Sequence, residues 1–199
     1  MCGILGCYRD EGIIENDIEK IKELIKKNSN RGTMSYGFVT PSHYEVNLIN
    51  PMTENFSFLN RFIGEKYIFM HLRSPTGSCV NNLYVTQPII KNDKILLFNG
   101  MLIEYDKKYP TDTFALLDIL SNYDLIEGLN QLKGSFALCY ITNEDIYLIR
   151  CINSLYYNDN FFSSVKFDNC VELHDGEILN FKLKNINKFN AYTPYQYEN

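Results

Sequence analysis

No part of this 199-residue sequence carries the roughly 18 to 20 consecutive apolar residues that a membrane span needs. Its first residues lack a basic head followed by an apolar run, so no secretory leader is expected and the chain reads as cytoplasmic. The formal charge is −5, and Lys and Arg are scattered rather than gathered into a stripe. That excludes the phosphate-neutralising surface of a nucleic-acid binder and leaves small metabolites as the expected partners. The six cysteines include no C-x-x-C pair, and no Cys/His cluster has ligand spacing, so neither a disulfide framework nor a metal site is expected. A G-x-x-x-x-G-K-[ST] loop and other nucleotide fingerprints are also missing, and no cofactor is called for.

What is present suits one compact domain. A hydrophobic content of 45% supports a sizeable core over residues 1–184, and residues 185–199, polar with tyrosines and a proline, read as a tail or a strip that docks on a partner. The apolar run CGILGCY at 2–8 predicts a buried strand almost at the chain start. Asn16 with Glu19 marks a helix start, and Ile18, Ile21 and Leu24 or Ile25 recur at helical spacing through Lys27. Strands are expected near 35–40, 44–49, 66–72 and 94–98, the last ending at Asn99-Gly100, a dipeptide that favours a turn. A helix from about Asp112 and a shorter one around 125–132 interrupt the strands. Strand pairs then follow at 135–141 with 145–150 and at 171–173 with 177–183, plus a short strand at 161–165. Strands flanking a central helical block suit an α/β (α+β) arrangement of two sheets packed face to face with helices outside.

Cys2 differs from the other cysteines by position. After loss of Met1 it carries both a thiol and an α-amine of ordinary pKa about 8, so the amine can serve as the thiol's base without a separate His.

At this point the motifs form a resemblance. MCGILG at 1–6 resembles the opening of the class II glutamine amidotransferases, and NRGTMSYG at 30–37 resembles that family's RG-x-x-S-x-G loop. HLRSPTG at 71–77, Gln87-Pro88 and LLFNG at 96–100 follow in the family order. Thr111-Asp112-Thr113, LKGSFALCYI and DGEILNF at 175–181 complete it, so the resemblance covers residues 2–183. It implies the N-terminal-nucleophile fold, a four-layer αββα sandwich of mostly antiparallel sheets. It also implies that Cys2 attacks the side-chain amide of L-glutamine, forming a γ-glutamyl thioester and releasing ammonia.

The roles the resemblance implies are assigned residue by residue. Asn99, through its side chain, and Gly100, through its backbone N–H, match the oxyanion hole. Arg73 matches the residue that holds the α-carboxylate, a task suited to a planar guanidinium, and Asp112 matches the partner of the α-ammonium. Read alone, Asn99-Gly100 is also a turn, Arg73 a surface ion pair and Asp112 a helix cap. Thr76 matches a pocket-lining position, Arg31 with Gly32 matches a loop closing near the nucleophile, and His71 is read as orienting its loop.

The sequence departs from the family where Thr33-Met34 follow Arg-Gly, at Arg150-Cys151, and at the shortened INSLYY. The expected activity is a glutaminase that delivers ammonia to a separate synthetase or transferase, since no acceptor domain is read in this chain. A free-standing hydrolase of another γ-glutamyl compound and a non-catalytic binding module are the alternatives.

Overall fold

The computed structural model describes residues 2–74 and 82–194. Along the chain run β1 (Gly3–Tyr8), α1 (Glu15–Asn28), β2 (Ser35–Val39), β3 (Tyr44–Asn47), β4 (Tyr67–Arg73), β5 (Ile89–Lys91) and β6 (Lys94–Leu102). Then come α2 (Asp112–Asn122), α3 (Leu125–Asn130), β7 (Gly134–Ile141), β8 (Ile146–Cys151), β9 (Tyr156–Tyr157) and β10 (Phe161–Ser163). The last are β11 (Val171–Glu172), β12 (Glu177–Asn180) and β13 (Asn185–Lys188). Among the described residues these strands form two antiparallel sheets, one of seven in the order β11-β9-β10-β1-β4-β2-β3 and one of six in the order β13-β12-β8-β7-β6-β5.

The layering follows from strand parity. In β1 and β4 both faces are apolar, as in strands covered on both sides. Leu5, Cys7, Ile68, Met70 and Leu72 pack with Ile18, Ile21, Leu24 and Ile25 of α1. Residues of the opposite parity, Ile4, Tyr8 and Phe69, meet Leu97, Ala137, Cys139 and Leu148 of the second sheet. That sheet's other face, with Leu96, Phe98, Leu138 and Ile149, packs against Leu116, Leu117 and Leu120 of α2 and Leu129 of α3. The result is helix, sheet, sheet, helix, the four-layer sandwich expected from the resemblance. Among the described residues no helix is long and apolar enough to cross a membrane.

Three local expectations are corrected. Helix α1 begins at Glu15, ahead of the expected Asn16 start, because Asp17 rather than Glu19 reaches back: its carboxylate accepts the Ile14 N–H at 3.0 Å. The same carboxylate is held by Arg9 at 2.5 and 2.9 Å, which compensates its burial. Asn99-Gly100 is not a turn. β6 continues to Leu102 because β7 runs beside its whole length, with Asn99 opposite Ala137 and Leu102 opposite Gly134.

The third concerns the polar stretch from residue 185, whose first residues form the edge strand β13, with Leu179 opposite Ile186. Phe189 beyond it is buried against Phe136, ring centroids 6.3 Å apart. Side-chain patterning could not mark this strand, because Asn185–Lys188 is exposed throughout and backbone pairing holds it.

Phe162 sits fully buried between the sheets, edge-on to Phe69 at 5.2 Å and to Phe181 at 5.8 Å. Phe162→Ala should destabilise the chain by about 3–5 kcal/mol, measured by urea unfolding, because the cavity lies where neither sheet can collapse without moving the other.

Candidate active site

The start of the chain is pinned. β1 lies between β4 and β10, with Gly3 opposite Leu72 and Ile4 opposite His71. One step further along this register puts Cys2 level with Arg73, on the face turned toward the second sheet. The Ile4 N–H donates to Ser164 Oγ at 3.0 Å, and the Ser164 N–H donates to the Ile4 carbonyl at 2.9 Å. Beneath it, the buried Asn28 donates to Ser163 Oγ at 2.8 Å and to the Leu24 carbonyl at 2.9 Å. A Cβ on Gly3 would stand 2.9 Å from Asn28 Oδ1, so only glycine lets the strand lie this close.

Cys2, Arg73, Gly100 and Asp112 line one cleft of about 500 Å³, within the range of small-molecule sites. The Cys2 thiol is 3.7 Å from the Ser74 carbonyl. Burial pushes its pKa up; Arg73 acts on it to lower the value and Asp112 to raise it, so both lie within electrostatic reach of the sulfur. Arg73 is buried at the end of β4.

The edge of β6 supplies the opposite wall. The Phe98 N–H donates to Gln87 Oε1 at 2.5 Å and the Leu102 N–H to Asp112 Oδ2 at 3.1 Å. Gly100 lies midway between them at the same parity, so its N–H faces the same edge, into the cleft. A Cβ there would fall 2.3 Å from the Ser135 carbonyl.

Asp112 is the first residue of α2, not its cap; that position is Thr111. Its other oxygen accepts the Thr113 N–H at 2.9 Å. Burial nonetheless raises its pKa, despite the bonds from the Leu102 and Thr113 N–H groups that favour the anion. Gln87 ties the walls together, since its Nε2 donates to Thr113 Oγ1 at 3.2 Å while its Oε1 holds β6.

Asn99 is fully buried one residue behind the wall, on the face toward the first sheet. Among the described residues neither atom of its carboxamide has a hydrogen-bond partner, and His71, wholly buried, reaches the cleft with the Phe98 carbonyl near its ring. Unpaired buried polar groups are uncommon and gather at functional sites. Burial pushes the His71 pKa down to about 3, opposed by the Phe98 carbonyl, so the ring is neutral.

Arg31 and Gly32 do not line the cleft. Arg31 donates to Ser154 Oγ at 3.0 Å, and Gly32 packs on the end of β4, where a Cβ would stand 2.3 Å from the Leu72 carbonyl. Thr76 lies outside the described residues. The sequence reading gave Gln87 no role beyond its place in a motif and overlooked Asn153, whose Nδ2 donates to the Asn99 carbonyl at 2.9 Å. Neither carries a local signal, because each acts through a contact distant in sequence.

His71 generates a pH prediction. Between its ordinary value of 6.5 and about 3, the unfolded chain takes up a proton that the folded chain refuses. Stability therefore falls as pH drops through that window, by up to about 1.4 kcal/mol per unit. His71→Phe should lose less stability than the parent between pH 7 and pH 5, read from urea midpoints.

No protein-family model and no curated protein matches the sequence. Solved structures do match the fold. One is the glutamine phosphoribosylpyrophosphate amidotransferase of B. subtilis, at 19% identity over 95% of this chain and 49% of that one, with a TM-score of 0.69. Another is an allosteric regulatory enzyme of purine biosynthesis, at 18% identity over the same shares, 95% and 49%, with a TM-score of 0.72. A third is a glutamine aminotransferase class-II domain protein from Silicibacter pomeroyi, at 12% identity over 96% of this chain and 100% of that one, with a TM-score of 0.61. This chain spans about half the length of the first two. With its two antiparallel sheets, outer helices and near-terminal strand, the chain has the fold of the class II glutamine amidotransferase domains.

Proposed function

We propose that this chain, once Met1 is removed, hydrolyses L-glutamine to glutamate and ammonia. The α-amine of Cys2 takes the thiol proton, and the thiolate sulfur bonds to the side-chain amide carbon while the carbonyl electrons move onto oxygen. That oxyanion is met by the Gly100 N–H and the Asn99 carboxamide, donors fixed before reaction. The amine returns its proton to the departing nitrogen, ammonia leaves, and water cleaves the thioester. Arg73 holds the α-carboxylate of glutamine and Asp112 its α-ammonium. Thr76 belongs to the pocket, and Arg31 with Gly32 supports the wall behind Cys2.

The observation that carries this reading is the meeting of Cys2, Arg73, Gly100 and Asp112 around one cleft although they come from four separate parts of the chain. The buried, unpaired carboxamide of Asn99 supports it further. We place the ammonia-consuming step on a synthetase or transferase site, in keeping with the B. subtilis neighbour, an amidotransferase. The setting is the cytoplasm, where Cys2 and the free thiols Cys7, Cys139, Cys151 and Cys170 stay reduced.

Protein shown by intact mass to begin at Cys2 should form glutamate from glutamine, and Cys2→Ala should fall to background. Equal rates in the two would sink the mechanism. Asp112→Asn should raise the KM for glutamine about tenfold or more through loss of a charged hydrogen bond. It should also lower the thermal midpoint, because one of the Leu102 and Thr113 N–H groups then faces an amide NH2 instead of an acceptor.

A further inference from the structure

Ile152 has φ of +71°, an outlier for a β-branched residue. The Asn153 N–H donates to the Cys151 carbonyl at 2.9 Å, closing a three-residue γ-turn with Ile152 at its strained centre. Glycine would adopt this backbone freely, so the turn must be held from outside. Asp175 provides one hold, its Oδ1 accepting the Ile152 N–H at 2.7 Å.

The next two residues reach both sides of the cleft. Asn153 Nδ2 donates to the Asn99 carbonyl at 2.9 Å and lies 3.4 Å from that of Ser135. Ser154 Oγ donates to the Ser164 carbonyl at 2.9 Å and accepts from Arg31 Nη2 at 3.0 Å. Ser164 is the residue that pins Ile4, two positions after the nucleophile.

We propose that Asn153 is a positioning residue for the site, carried on the turn centred at Ile152, resting on the glutaminase reading above. The Asn99 carbonyl and the Gly100 N–H belong to one planar peptide unit and point to opposite sides of it. That carbonyl already faces β7, where Asn99 lies opposite Ala137, and Asn153 adds a further donor to it, which narrows the direction of the N–H on the cleft edge. It also polarises the peptide so that the N–H is a stronger donor to charge developing on oxygen. Through Ser154 the same turn anchors the strand behind Cys2, so nucleophile and oxyanion donor are referenced to one rigid point. Backbone strain persists where surrounding contacts over-determine it, and here those contacts converge on the reacting groups.

The test uses the Cys2-initiated chain. Asn153→Ala should lower kcat for glutamine hydrolysis about tenfold, less than loss of an oxyanion donor itself, with KM changed by no more than about twofold, the signature of an interaction made in the transition state. Ile152→Gly, which keeps the turn and removes its strain, should retain kcat. Asn153→Ala should also weaken binding of glutamate γ-semialdehyde, to which Cys2 adds with sulfur to carbon and the thiol proton to oxygen, while leaving glutamine affinity in the Cys2→Ala background unchanged.

A structural readout needs no turnover: the Gly100 amide resonance of the ¹⁵N-labelled protein should shift in Asn153→Ala and stay in place in Ile152→Gly. An unmoved Gly100 resonance in Asn153→Ala overturns the proposal even if activity falls. A shifted resonance with kcat unchanged overturns it as well. Inactivity of the parent chain, with no labelling of Cys2 by the semialdehyde, overturns the glutaminase reading and with it the catalytic use of the turn.

Discussion

The site depends on how the first strand is inserted. β1 is hydrogen-bonded on both sides, to β4 and β10, within its first residues, and Asn28, Ser163 and Ser164 close around it. The strand is thus threaded between two others. Extended by one residue, the register that places Gly3 against Leu72 sets Cys2 level with Arg73. Shifting β1 by one residue would reverse its faces, sending the Cys2 side chain toward α1 and Leu5 into the layer between the sheets.

Position in the sandwich accounts for the chemistry available. Side chains of one parity from both sheets fill the central layer, and along most of its length they are apolar, as with Ile4, Phe69, Leu97 and Ala137. At the end nearest Cys2 the same parity delivers His71, Arg73 and Asn99 instead. The polar groups thus stand at the end of an apolar layer, where burial makes their interactions stronger than at a surface and leaves unpaired groups more costly. The neutral ring of His71 and the raised pKa of Asp112 are two expressions of that burial.

Much of this was legible in the sequence, for identifiable reasons. The doubly apolar strands, the helix from Asp112 and the hairpin after Gly134 are periodic signals, and periodicity reports burial. Cys2, Arg73, Gly100 and Asp112 were legible because ordered motifs carried them, and the cleft assembles all four. Illegible were features set by distant partners. Asn99-Gly100 reads as a turn until β7 is known to run past it. β13 has no apolar face to detect, and Arg31 is drawn away from the cleft by Ser154, a residue 123 positions along the chain. Asn153 lies in the shortened INSLYY segment, and only its contact with the Asn99 carbonyl gives it meaning.

That β6 continues as a strand rather than turning at Asn99 bears directly on substrate size. Successive residues on one strand edge repeat every second position, so the Phe98, Gly100 and Leu102 N–H groups are spaced by about 7 Å. Gln87 occupies the first and the Asp112 carboxylate the third. On the proposed reading, the oxyanion donor and the ammonium acceptor are therefore one strand repeat apart, a span that a five-carbon amino acid bridges when extended. A turn at Asn99-Gly100 would have no such ruler, because its amides would point in unrelated directions. The ladder with β7 is thus what sets the distance between reaction and recognition. Gln87, bonded to Phe98 at one end and to Thr113 at the other, keeps the helix carrying Asp112 from drifting along it.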